Sequence, residues 1–163
     1  MKQVTYLVMD VDGTLTDGKI YMAASGELFK AFDIKDGCGI RMILMPAGIR
    51  PVIITGRKSK ILENRCRELG ITELYQGISD KVACLNKLLG NEPDYSKVAY
   101  IGDDINDLAC MELIKANGGV IGCPADAVEA VKEQADFVSI RNGGNGAVRE
   151  FIEWICAQKT MLL

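Results

Sequence analysis

The chain has 163 residues, 48% apolar and 25% charged, with net charge −3 and no histidine. That suits one globular domain with a substantial core. It excludes Ser-His and Cys-His nucleophile pairs. With no basic run and no apolar stretch near the ~20 residues of a bilayer span, nucleic acid and membrane are not expected partners.

Tyr6–Met9 reads as a buried strand that runs into Asp10-Val11-Asp12-Gly13-Thr14-Leu15-Thr16. In extended backbone, residues i and i+2 point the same way. Two acids crowded there repel, and one should hold its proton unless a cation intervenes. Read alone, the pair also suits an ordinary turn. Ile20-Tyr21-Met22 and Leu28–Phe32, around Ala24-Ser25-Gly26, predict a β-hairpin. Asp36 should start a helix through Met45 that carries Ile40, Ile43 and Leu44. Pro51–Thr55 is a second buried strand, ending in Thr55-Gly56-Arg57. A helix follows from Arg57 to Leu69, with Gly70 at its C-terminal cap.

Leu74–Gln76 is a short strand, and Asp80 caps a helix ending at Gly90. Val98–Ile101 is a third buried strand, running into Gly102-Asp103-Asp104-Ile105-Asn106-Asp107. Helix Asn106–Lys115, strand Gly119–Gly122, helix Ala125–Glu133, strand Phe137–Ser139 and helix Ala147–Ala157 complete the pattern. Alternating strands and helices predict an α/β fold, a parallel sheet covered on both faces. Ligands bind at the carboxyl ends of such strands. Asp10, Asp12, Thr55, Arg57, Asp103 and Asp107 all fall there.

The gaps between these motifs leave no room for a separate cap domain. Active sites at such strand ends usually need water excluded, so either the substrate is large or another subunit supplies the cover. Six cysteines (38, 66, 84, 110, 123 and 156) stand singly, with no CxxC pair. They read as small core residues of a reducing cytoplasm. Lys2 followed directly by a strand suggests no signal peptide.

The order strand-DxDGT, strand-TG, Lys81, strand-GDDxxD resembles the haloacid dehalogenase (HAD) superfamily of phosphohydrolases. The resemblance implies a three-layer Rossmann-like fold of one domain over 1–163, with a β-hairpin flap. It implies that Asp10 is the nucleophile and becomes an aspartyl phosphate. Asp12 is then the general acid toward the leaving alkoxide and the base for water. Mg²⁺ would bridge Asp10, the phosphate and Asp103, with the Asp12 backbone carbonyl as a further ligand. Thr55 and Lys81 would hold phosphoryl oxygens, with Gly56 beside them. Asp107 would position the metal shell, and Asp104 either joins it or only caps a helix. Arg57, directly after Thr55-Gly56, is placed to meet a substrate carboxylate. Each residue has a plainer reading: Lys81 as a solvated helix residue, Arg57 as a surface cation, and 143–146 as an ordinary loop. Arg65 and Arg67 are expected to be solvated.

Ile54–Cys66, Leu69-Gly70-Ile71, Leu74–Gly77, Asp80-Lys81, Thr16-Asp17-Gly18 and Gly143–Glu150 are similar to the 3-deoxy-D-manno-octulosonate (KDO) 8-phosphate phosphatase family. That resemblance implies hydrolysis of KDO 8-phosphate in lipopolysaccharide sugar biosynthesis. It also implies a cytoplasmic homotetramer whose hairpins and C-terminal tails, here about 143–163, help close neighbouring sites. Removal of the tail is expected to spare the core. Asn145 stands where a basic residue is common in the family, so a tail contact to an anionic substrate is missing or replaced. The alternatives are a phosphatase for nine-carbon keto-sugar acid 9-phosphates (sialic acid or KDN type), a phosphotransferase or mutase, and a non-catalytic regulatory domain. An acidic residue in place of Arg57 resembles the nine-carbon relatives.

Overall fold

The computed structural model describes residues 4–160. In chain order it has β1 (Tyr6–Met9), the hairpin β2 (Tyr21–Ala23) and β3 (Gly26–Phe29), and α1 (Ile34–Gly39), which continues as a π-helical turn over Ile40–Leu44. Next come β4 (Arg50–Thr55), α2 (Lys60–Leu69), β5 (Glu73–Gln76), α3 (Lys81–Leu89), β6 (Val98–Ile101) and α4 (Ile105–Ala116). β7 (Val120–Cys123), α5 (Glu129–Gln134), β8 (Phe137–Val138) and α6 (Ala147–Thr160) follow.

Among the described residues, the strands outside the hairpin form one sheet in the order β5-β4-β1-β6-β7-β8. Each pairing in it is parallel. The chain builds outward from β1 through β4 to β5, then returns to the other side of β1 for β6, β7 and β8. The reversal lies between β1 and β6, where a doubly wound sheet opens a crevice.

The pleat explains the two cores. Leu7 and Met9 point to one face with Ile53, Ala99 and Ile101, under α1, α2 and α6. Val8 points to the other with Val52, Ile54, Tyr100 and Ile121, under α3, α4 and α5. These strands are apolar on both faces because helices cover both.

Helix ends follow capping chemistry. The Ser59 hydroxyl accepts from the Leu62 N–H at 3.3 Å, and the Asp80 carboxylate accepts from the Ala83 N–H at 2.9 Å. The Ser59 cap moves the start of α2 to Lys60 and leaves Arg57 in a loop. Asp33 caps α1, accepting from the Lys35 N–H at 2.6 Å, so that helix begins before Asp36. α5 begins at Glu129 rather than Ala125, because the Val128 N–H is donated to the Asp103 carbonyl at 2.9 Å instead of to the turn before it. The second hairpin strand ends at Phe29 and β8 ends at Val138, each shorter than the sequence pattern suggested.

The segment from Gly143 is not a dispensable tail. Val148, Phe151, Ile152 and Ile155 of α6 are at most 1% exposed. Each contributes about 1.5–3 kcal/mol of burial, a large share of the roughly 5–15 kcal/mol that stabilises a domain. Truncation at Gly143 would therefore dismantle one face of the core. Residues 161–163 of the expected tail lie outside the described residues.

Candidate active site

β1 delivers Asp10 to the crevice, 4% exposed. The loop after it closes on one acceptor: the Val11 carbonyl takes the Thr14, Leu15 and Thr16 N–H groups at 3.2, 2.9 and 3.0 Å. Gly13 lies at φ +96°, and a Cβ there would sit 1.9 Å from Asp103 Oδ2. Glycine is thus required for this loop to meet the one after β6. The Thr14 hydroxyl secures the meeting by donating to Asp103 Oδ1 at 2.9 Å.

Lys81, the first residue of α3, turns into the same place and is 5% exposed. Its Nζ donates to Asp10 Oδ1 and Asp107 Oδ1, both at 2.7 Å. The Tyr100 hydroxyl from β6 also donates to Asp107 Oδ1, at 2.7 Å. Asp107 Oδ2 accepts the Asp103 N–H at 3.1 Å and the Asp104 N–H at 3.4 Å. Both Asp107 oxygens are therefore engaged, and the side chain ties Lys81 to the loop that carries Asp103. Asp104 caps α4 and forms a reciprocal capping box with Asp107. It also lines the cleft.

One ammonium faces a cluster of acids. Asp10, Asp103 and Asp107 each offer an oxygen within 4.8 Å of the others'. Burial, then the Asp10 charge, pushes Asp103 up to about 7 despite the Thr14 hydrogen bond. Burial, then Asp107, raises Asp10 to about 6 against the pull of Lys81. Desolvation would lower Lys81, but the Asp10 and Asp107 carboxylates outweigh it and raise the ammonium above its ordinary value. A closely spaced set of oxygen donors with excess negative charge fits a hard divalent cation such as Mg²⁺.

An open cleft of about 530 Å³ lies over these groups, between Asp10, Asp12, Thr55, Gly56 and Arg57 on one side and 104–106 on the other. Thr55 ends β4 and is 3% exposed. The Asp12 side chain does not join the acid cluster. It turns toward the hairpin, where the Lys30 ammonium donates to its Oδ1. Arg57 Nε lies 4.0 Å from Asp12 Oδ2, and its Nη2 lies 3.5 Å from Glu27 Oε1. Glu27 also accepts from the Ser59 hydroxyl.

Lys30, Glu27 and Tyr100 were not legible as site residues. No local motif marks a hairpin Lys or Glu as active-site groups. Tyr100 left one signal: a Tyr in a strand buried on both faces must find a partner for its hydroxyl. Arg67 is exposed as expected, but Arg65 is not simply solvated. It packs its guanidinium 5.9 Å from the Phe32 ring centroid and donates to Glu68 at 2.9 Å. Its Nε is buried without a partner. Residues 143–146 are not a free loop either. A Cβ on Gly143 would lie 1.8 Å from the Gly13 carbonyl oxygen. The Gly144 N–H donates to the Thr14 carbonyl at 3.0 Å, so this loop braces the DxDGT turn. Asn145 at its tip is exposed.

Comparison with known proteins gives the family. No family model matches the chain. The 3-deoxy-D-manno-octulosonate 8-phosphate phosphatase KdsC of Escherichia coli K12 is 45% identical over 91% of this chain and 77% of its own. The chain belongs to the KDO 8-phosphate phosphatase family. The KDO 8-phosphate phosphatase structure from Yersinia pestis superposes with TM-score 0.86 at 43% identity, covering 94% of this chain and 81% of that one. The family enzyme from Moraxella catarrhalis, in complex with magnesium, phosphate and KDO, superposes with TM-score 0.83 at 39% identity over 94% of this chain and 86% of that one. The family in turn lies within the HAD superfamily of hydrolases.

Proposed function

We propose that this chain is a Mg²⁺-dependent phosphatase that hydrolyses KDO 8-phosphate to KDO and phosphate. One observation carries the chemistry: buried Asp10 at the sheet's crevice, hydrogen-bonded by Lys81 and set beside Asp103. Family membership carries the substrate.

In this reading the Asp10 carboxylate attacks phosphorus. The bond to the sugar oxygen breaks, and an aspartyl phosphate forms. Asp12 donates a proton to the leaving alkoxide, then takes one from the water that hydrolyses the acyl phosphate. Lys81 and Thr55 hold the transferring phosphoryl oxygens, with the Gly56 backbone beside them. The Asp10 and Asp103 carboxylates and the Asp12 carbonyl would hold Mg²⁺, with Asp107 and Asp104 behind them. The bound ion supplies charge neutralisation and polarises the phosphoryl group. Arg57 meets the substrate carboxylate, in exchange for its contact with Glu27.

The remaining readings come from the family resemblance, and surface and composition agree with them. We take 1–163 as one domain in a cytoplasmic homotetramer, with sites covered by neighbouring subunits. Ile20, Met22, Leu28 and Phe29 on the hairpin are between 45% and 59% exposed, apolar surface suited to a second copy of the chain. Buried thiols at Cys66, Cys110 and Cys123 suit a reducing compartment. No helix among the described residues is long and apolar enough to cross a membrane.

The test is phosphate release from KDO 8-phosphate with Mg²⁺. Asp10→Asn is nearly isosteric but cannot form the acyl phosphate, so turnover should vanish. Residual activity within about tenfold of wild type would overturn the assignment. Sedimentation of a fully active monomer would remove the tetramer.

A further inference from the structure

Lys30 follows β3 on the hairpin, yet its side chain is only 4% exposed. A lysine so enclosed must be paired. Its ammonium donates to Asp12 Oδ1, and it lies 3.1 Å from Glu27 Oε1. Glu27 is held in turn by the Ser59 hydroxyl and by Arg57 Nη2 at 3.5 Å. The Lys30 ammonium thus has a fixed anchor on one side and a cleft carboxylate on the other. Asp12 Oδ2 is left facing Arg57 Nε, at 4.0 Å, on the open side of the cleft.

We infer that Lys30 is a positioning residue for Asp12: by holding Oδ1 it fixes the carboxylate plane and leaves Oδ2 to exchange the proton with the leaving oxygen. This rests on the reading of Asp12 as general acid and base. A carboxylate without that contact rotates about its terminal bond, and proton transfer loses its alignment. The contact also makes the chemistry depend on the hairpin, because Lys30 and its anchor Glu27 both come from it.

The rival role is that Lys30 only pins the hairpin down. Phenyl phosphate and p-nitrophenyl phosphate separate the two. Neither carries a carboxylate, and phenolate needs the acid's proton far more than p-nitrophenolate does. For each, kcat/KM reports steps up to formation of the aspartyl phosphate. Lys30→Met should lower kcat/KM on phenyl phosphate roughly tenfold more than on p-nitrophenyl phosphate. Asp12→Asn should show the same bias more strongly, and Lys30→Arg should restore most of the wild-type ratio. Should Lys30→Met fail to fold, Lys30→Gln, which also removes the charge, is read by the same ratio. Equal losses on both esters for the Lys30 variants, with the bias present in Asp12→Asn, would leave Lys30 as a hairpin anchor only. Equal losses in Asp12→Asn as well would overturn the acid role of Asp12, and the role of Lys30 with it.

Discussion

Lys81 Nζ lies 2.7 Å from Asp10 Oδ1, although the two residues are 71 positions apart in the chain. The same ammonium lies 2.7 Å from Asp107. One buried cation therefore links the end of β1 to the first turn of α4, and its neutralisation is incomplete because Asp103 stands beside the pair. The consequences for stability, metal binding and specificity are each measurable.

Lys81→Met should abolish phosphate release and destabilise the fold. It leaves Asp10 and Asp107 buried with no ammonium between them, and breaking such a pair costs about 3–5 kcal/mol. Urea unfolding beside the phosphate assay checks both. A variant as stable as wild type would show that the acids relax by taking up protons instead.

Chelation with EDTA should remove activity, and Mg²⁺ should restore it. Ca²⁺ should bind but support little turnover, since it accepts more ligands in looser geometry. Mg²⁺ should also raise the melting temperature, because it binds the folded acid cluster and not the unfolded chain. Asp103→Asn should lose most of that rise. Full activity in excess chelator would rule out the metal.

Asp36 predicts a pH dependence away from the metal site. It is 1% exposed and accepts the Arg149 N–H at 2.8 Å and the Gly146 N–H at 3.3 Å, at the start of α6. Burial outweighs those bonds and raises it from 3.8 to about 6. The folded state then holds this proton more tightly than the unfolded chain. The resulting stabilisation is fully present below about pH 4 and is lost as pH rises through 6. Between those limits wild type should lose up to about 3 kcal/mol relative to Asp36→Asn. Urea unfolding of both proteins across that range measures the difference, and parallel curves would refute it.

Arg57→Ala should lower kcat/KM on KDO 8-phosphate by about 2 kcal/mol, the low end for losing one partner of a charged pair. The low end applies because the Arg57 side chain is 38% exposed and already shared with Glu27. Hydrolysis of p-nitrophenyl phosphate, which has no carboxylate, should change little. Equal losses on both substrates would assign Arg57 to the phosphate.

Much of this was legible without coordinates, because the signals are local. Apolar runs marked β1, β4 and β6, since strands buried on both faces have no polar alternation. Ser59, Gly70, Asp80 and Gly90 marked helix ends, since capping acts within one turn. The strand-end positions of Asp10, Thr55 and Asp103 followed from the order of those elements, and the motifs placed the chain near its family. Tertiary structure alone decided which groups touch. Lys81 reaches Asp10 because α3 starts beside the switch point, not because of spacing. Asp12 turns from the acid cluster to Lys30 because the hairpin brings that ammonium to the loop after β1. Arg65 lies against Phe32 instead of in water because α2 packs beside α1, and residues 143–146 brace Gly13 because α6 packs on α1 and carries that loop to the crevice. Local sequence determines backbone conformation through sterics and capping over a few residues. Contacts between distant side chains depend on how the layers close around the core, and no short stretch of the chain records that.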